Sequence, residues 1–184
     1  PEWRGRELSA ADLRRFGEVR FFTPERDLPS AYRAQVQTGQ GDDDYCAGWT
    51  RIWDLKETSA IRDLYFHGAH VSTAGGDALS GHADIDRFVI SYLASFPDAR
   101  LSIHSAIVNR DPGQPLRIAL RWALRGTHAG YGRFGEPSGA EVYVMGLSHA
   151  HLVDGRVTQE WIVTDEVSVW KQIFAHVESR AGAV

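Results

Sequence analysis

The chain has 184 residues, 43% hydrophobic and 24% charged, with a formal net charge of −4. That length and balance suit one water-soluble domain with a real core, and they leave no basic surface for nucleic acid or an anionic membrane. The single cysteine, Cys46, excludes an intramolecular disulfide and fits a reducing, cytoplasmic setting. No apolar run is long enough to span a bilayer.

Residues 1–41 read as a polar N-terminal arm, with a short helix expected over 9–16, capped by Ser9, before two prolines. The arm is expected to wrap the body of the protein or a neighbouring subunit. The domain proper is set at 42–184. It opens with a helix on which Tyr45, Trp49, Ile52 and Trp53 recur at helical spacing behind the acidic run Asp42–Asp44. A short second helix is expected over 59–66, followed by a strand and loop. "SGHADIDRFVISYLASFP" gives the clearest helix: Ser80 as its cap, a stripe of Ile85, Phe88, Val89, Tyr92, Leu93 and Phe96, and Pro97 as its end.

From residue 101 the period changes to two. Four strand candidates follow, "RLSIHSAIVNR", "LRIALRWALRGTH", "AEVYVMGLSHAHLV" and "RVTQEWIVT", and "EVSVWKQIFAHV" closes the chain as a helix. Helices followed by a long meander predict an α+β domain with helices on one face of a curved antiparallel sheet. "GYGRFG" (130–135) matches a dinucleotide-binding fingerprint literally, but it leads into a strand and not a helix, so nucleotide binding is not expected.

The turn at "LVDGR" decides which side chains share a face. A two-residue Asp154–Gly155 turn would pair Val153 with Arg156 and set the histidines opposite Glu160 and Thr158. A type I turn with Gly155 as a bulge, which hydrophobicity favours, pairs Leu152 with Arg156 and gathers Tyr143, Met145, Leu147, His149, His151, Val157, Gln159, Trp161, Val163 and Asp165 on one face. The other face then takes Ser148, Arg156, Thr158, Glu160, Thr164 and Glu166. In the strand before, Ile118, Leu120, Trp122 and Leu124 face in, with His128 continuing the row, and Arg117, Arg121 and Arg125 face out. The expected inner face is thus apolar with a few polar groups, the mixture a small-molecule pocket requires. Arg117, Arg121, Arg125, Thr158 and Glu160 are expected on a polar outer face.

Within that reading Asp165 has two possible roles: cap of the last helix through the Ser168 N–H, or a carboxyl whose proton affinity is raised by Trp161 for acid/base work. His149 and His151 suit acid/base partners or substrate anchors better than metal ligands, because only His128 and the distant Asp165 remain to complete a metal site. His128, Trp161, Tyr143, Met145, Trp122, Gln159, Tyr131 and Trp53 are the expected substrate-binding side chains.

"GTHAGYGRFGEPSGAEV" (126–142) and "DGRVTQEWIVTDEVSVWKQI" (154–173) resemble the SnoaL-like polyketide cyclase and ester-cyclase group of the nuclear-transport-factor-2-like superfamily. The likeness spans roughly residues 46–174, with Ser138 where the family usually has Thr. It implies a cone-shaped curved sheet wrapped by helices around a deep pocket, in a homodimer or higher homo-oligomer. It also implies that Asp165 is a general acid/base assisted by His151; the N-terminal arm, the His149-x-His151 pair and the loosely matching "HGAHVSTAGG" depart from the family pattern. The activity it implies is cofactor-independent and metal-free: aldol cyclisation, or its reverse in a retro-aldol or deformylating lyase, on an apolar, aromatic small molecule. The alternatives are an epoxide hydrolase or hydratase, which needs a second carboxylate with an inward Arg, and a non-catalytic ligand-binding domain.

Overall fold

A computed structural model describes residues 40–181. The expected arm lies almost wholly outside the described residues, and so does the helix at 9–16. Helix α1 (Gln40–Trp49) continues through one π turn (Thr50–Asp54), and a 3-10 turn (Thr58–Ala60) leads into α2 (Ile61–Leu64). Then come β1 (Tyr65–Thr73), β2 (Ala78–Ser80), α3 (Gly81–Ser95), β3 (Arg100–Asn109), β4 (Leu116–Thr127), β5 (Glu141–Val153), β6 (Arg156–Thr164) and α4 (Glu166–Ala181). The second helix is shorter than expected, because Tyr65 already begins a strand.

The six strands form one curved, unclosed sheet in the order β2-β1-β6-β5-β4-β3. Neighbours are antiparallel except β1 and β6, which run parallel. The fold is therefore α+β as expected, with the helical layer supplying the crossover that a parallel pair demands. Ser80 occupies the cap position of α3 but makes no side-chain cap bond; instead its N–H donates to Asp84 Oδ2 at 3.0 Å.

One face of the sheet packs on α1 and α3. Trp49, Trp53 and Trp122 form its aromatic centre, with ring centroids 5.3–6.3 Å apart. Trp122 fits because the residue opposite it on β5 is Gly146; a Cβ there would overlap the indole. The glycine-rich segment after β4 has a similar cause. It lies against the C-terminal turn of α3, where the Arg133 N–H donates to Ser91 O at 2.9 Å, and Gly130 and Gly132 have no room for a side chain. These glycines serve close backbone approach, in keeping with the rejection of a nucleotide loop.

The hairpin between β5 and β6 departs from the expected register. Val153 pairs with Arg156, and Asp154 and Gly155 have φ of 49° and 76°, so the connection is a two-residue turn with both residues left-handed. The irregularity sits further on: Leu152 pairs with Val157 and His151 with Gln159, leaving Thr158 as the extra residue. Beyond this bulge the expected companions do share a face, since His149 pairs with Trp161 and Leu147 with Val163. Val157 changes sides and is buried.

The larger correction concerns which face this is. Arg117 pairs with His151, Ala119 with His149 and Arg121 with Leu147, so the histidine row shares the outer face with the arginines. The core face of β5 is Val142, Val144, Gly146, Ser148, Ala150 and Leu152, all buried. Replacing Gly146 by Ala is expected to cost about 1–3 kcal/mol by displacing Trp122. Chemical denaturation of the variant beside the wild type measures the loss.

Candidate active site

On the core face of β6, the residue expected outside lies at the centre. Glu160 is fully buried, at 0% exposure, because the bulge at Thr158 reverses the alternation of the strand before it reaches position 160. Two tyrosines converge on its carboxylate. Tyr65, the first residue of β1, donates its hydroxyl to Oε2 at 2.5 Å, and Tyr45, from the second turn of α1, donates to Oε1. Both are buried.

Around this group lie further polar atoms without a protein partner. The Trp49 indole N–H faces the carboxyl and favours its ionised form without reaching full hydrogen-bond geometry. Ser148 Oγ stands in the same relation to Tyr45. The cross-strand neighbours of Glu160, Val71 and Ala150, are buried and apolar.

Burial dominates the electrostatics. It pushes the Glu160 carboxyl from its ordinary 4.5 up to about 7, against the tyrosine hydrogen bonds, which favour the anion. Burial first, and the adjacent carboxylate second, hold Tyr45 and Tyr65 well above their ordinary value, so both remain hydroxyl donors. Near neutral pH, then, the interior holds a carboxyl able to gain or lose a proton beside two fixed donors, which is the requirement for acid/base catalysis.

Residues 45–173 match the sequence profile of the SnoaL-like polyketide cyclases. The chain belongs to that family. Solved structures of similar fold include a proposed SnoaL-like polyketide cyclase from Jannaschia sp. CCS1, 18% identical with a TM-score of 0.61, covering 74% of this chain and 96% of that one. IdmH, a proposed polyketide cyclase from Streptomyces antibioticus, is 20% identical with a TM-score of 0.61, covering 76% of this chain and 99% of its own. AclR, a proposed hydroxylase from Streptomyces galilaeus, is 22% identical with a TM-score of 0.62, covering 72% and 80%. No curated protein matches the sequence. As in its relatives, the fold places a sheet against helices; the polar groups inside are those of this chain.

The residues expected to form the site are only partly brought together. Asp165 is exposed and caps α4, accepting the Ser168 N–H on Oδ1 at 3.0 Å, while its own N–H donates to Met145 O at 3.1 Å. His149 and His151 lie on the outer face against Trp161, with ring centroids 5.6 and 5.0 Å from it, and Gln159 is exposed beside them. Tyr143 and Met145 are half-buried on that outer side, where Gln172 of α4 bonds the Tyr143 backbone at both N–H and carbonyl. Tyr131 is exposed in the glycine-rich loop.

Trp53 and Trp122 do face the interior, and so does His128, buried against Phe96 with Nδ1 3.1 Å from Ser138 Oγ. Burial lowers the basicity of His128. It pairs with Ala140, however, ten residues along β5 from the Ala150 that faces Glu160. That is roughly 30 Å of extended strand. His128 therefore belongs to the base of the loop, away from the Glu160 carboxyl.

The raised proton affinity of Glu160 has a stability consequence. A carboxyl that holds its proton more tightly in the folded state contributes stability fully present below about 4.5, lost as the pH rises through about 7. The full effect is on the order of 3 kcal/mol. Glu160→Gln does not titrate, so its stability relative to wild type should rise by that order between pH 4.5 and neutral. Denaturant midpoints of both proteins across this range measure it, and parallel curves would contradict the assignment.

Proposed function

We propose that the protein is a cofactor-independent acid/base enzyme acting on carbon–carbon bonds of an apolar, aromatic small molecule, with Glu160 as the proton-transferring group. The single observation that carries this reading is the buried Glu160 carboxyl with its two tyrosine donors. The family supports a cyclase-like reaction; aldol ring closure, or its reverse in a lyase, is the finer step proposed here.

In the aldol direction the Glu160 carboxylate removes a proton from the carbon next to a substrate carbonyl. The resulting enolate carbon attacks a second carbonyl, and the new alkoxide takes the proton back from Glu160. The sequence consumes no redox equivalent, and no net proton is gained or lost. Run backwards, the carboxylate deprotonates a β-hydroxyl, the carbon–carbon bond breaks, and an aldehyde leaves. Tyr45 and Tyr65 fix the carboxyl and stabilise its charge, while the unbonded Trp49 N–H and Ser148 hydroxyl are available to the developing oxyanion. Because Glu160 is sealed from solvent, the helical layer has to part from the sheet to admit substrate, and its closure then excludes water.

Among the described residues Glu160 is the only fully buried carboxylate, and none of the arginines is fully buried. That speaks against the epoxide hydrolase alternative, which needs a second carboxylate and an inward Arg. The complete burial of Glu160 favours one competing reading, in which the network only ties α1 to the sheet of a non-catalytic domain.

Turnover separates the two. With aryl β-hydroxyketones as trial substrates, aldehyde release should fall by roughly a hundredfold or more in a folded Glu160→Gln protein. Asp165→Asn, which keeps a competent helix cap, should retain near-wild-type turnover and lose less than about 1 kcal/mol of stability. Loss of activity in Asp165→Asn with full activity in Glu160→Gln would return the chemistry to Asp165.

A further inference from the structure

We propose that Ser138 and His128 form a second reactive site, a serine nucleophile with its base, which takes an acyl group from an activated ester or thioester. His128 is fully buried, and its Nδ1 stands 3.1 Å from Ser138 Oγ. The Ala140 N–H donates to the same Oγ at 3.2 Å, which occupies one lone pair and leaves the hydroxyl proton free to point at Nδ1. Burial holds the imidazole below its ordinary basicity, so it is neutral at pH 7 and open to accept that proton. The Ala140 bond alone would shape the turn. His128 Nε2, however, is buried with no partner, a costly arrangement if the ring only fastened a loop. Ser138 also stands where the family resemblance gives Thr, and a primary hydroxyl is the less crowded nucleophile.

The serine is within reach of solvent. It is half-buried, and its neighbour Gly139 is exposed with φ of 75°. Gly139 lines a groove of about 620 Å³ together with Glu141, Gln172, Ala175 and His176. A side chain placed on Gly139 would meet Arg180 Nη1 at 3.9 Å and His176 Nε2 at 4.0 Å, and this second nitrogen has no partner in the protein. Both groups are thus available beside the serine to the oxygen of a reacting carbonyl. In the reaction Ser138 Oγ bonds to the acyl carbon and its proton passes to His128 Nδ1. The bond from that carbon to the leaving group then breaks, and His128 returns the proton to the departing alcohol or thiol. Water repeats the sequence, releasing the carboxylic acid and restoring the serine. No described group bonds His128 Nε2 to stabilise the imidazolium, so the site selects donors with a good leaving group.

This site lies apart from Glu160, so its failure would leave the carbon–carbon reading untouched. A biotinylated fluorophosphonate tests it: Ser138 Oγ bonds to phosphorus, the phosphorus–fluorine bond breaks, and the proton leaves with fluoride. Tandem mass spectrometry of the full chain should place the adduct on Ser138. The adduct should form roughly tenfold faster or more in the folded protein than in urea, where the base is no longer held beside the hydroxyl. In folded His128→Gln, which keeps a hydrogen-bonding side chain that cannot take a proton, the rate should fall by roughly a hundredfold. A folded His128→Gln protein that labels like the wild type would overturn the proposal. So would the absence of an adduct at Ser138, or equal rates in folded and unfolded wild type, and these two outcomes decide the matter if His128→Gln fails to fold.

Discussion

The interior of the described residues holds one costly group, a carboxyl at zero exposure whose hydrogen-bond donors are two tyrosine hydroxyls. Leaving such a group unpaired costs several kcal/mol, so its partners are not optional. They come from far away in sequence. Tyr45 is 115 residues before Glu160 and Tyr65 is 95 before it, one on the first helix and one at the start of the first strand. The hydrogen bonds consequently fix where α1 and β1 lie relative to β6. The parallel pairing of β1 with β6 and the seating of the Trp49–Trp53–Trp122 cluster depend on the same placement. The group that sets the register of the helical layer is also the one with a proton affinity suited to chemistry at neutral pH.

Much of the fold was legible because its signals are local. The stripe on α3, the stop at Pro97, the change to period two after it and the closing helix each rest on a few neighbouring residues. What was not legible depends on one unpaired residue. In "RVTQEWIVT" alternation groups Val157, Gln159, Trp161 and Val163, and hydrophobicity alone selects that set for the interior. Insertion of Thr158 as a bulge transfers Glu160 and Ile162 to the core beside Val157. The sequence contains a cue to a bulge near the turn, but not to its position two residues later, where the pairing of whole strands decides.

The face of β5 was ambiguous for a different reason. Its odd residues, Tyr143, Met145, Leu147, His149 and His151, are large and conspicuous; its even residues, Val142, Val144, Gly146, Ser148 and Ala150, are small. Size suggests that the large set fills the interior. Yet the volume opposite β5 is already taken by tryptophans from α1 and β4, so the strand beneath them must be thin, and Gly146 under Trp122 is the extreme case. A core supplied by bulky helix residues selects small strand residues, and the bulky strand residues are left for the other side. Periodicity reports that two faces differ; it does not report which neighbour needs room.

Asp165 illustrates how likeness and local physics can point at one residue and mean different things. It ends a strand and begins a helix, where a carboxylate satisfies an orphan N–H whatever else the protein does. Its neighbour Glu166 is drawn into a separate cluster, accepting from Tyr92 at 2.5 Å and from Arg133 at 2.6 Å, which holds the glycine-rich loop to the start of α4. Both carboxylates at this junction are therefore engaged in fastening elements, and both keep access to water. Among the described carboxylates only Glu160 combines full burial, fixed donors and unsatisfied polar neighbours. The difference lies in desolvation, since the same carboxyl chemistry becomes useful at neutral pH when water can no longer stabilise the charge.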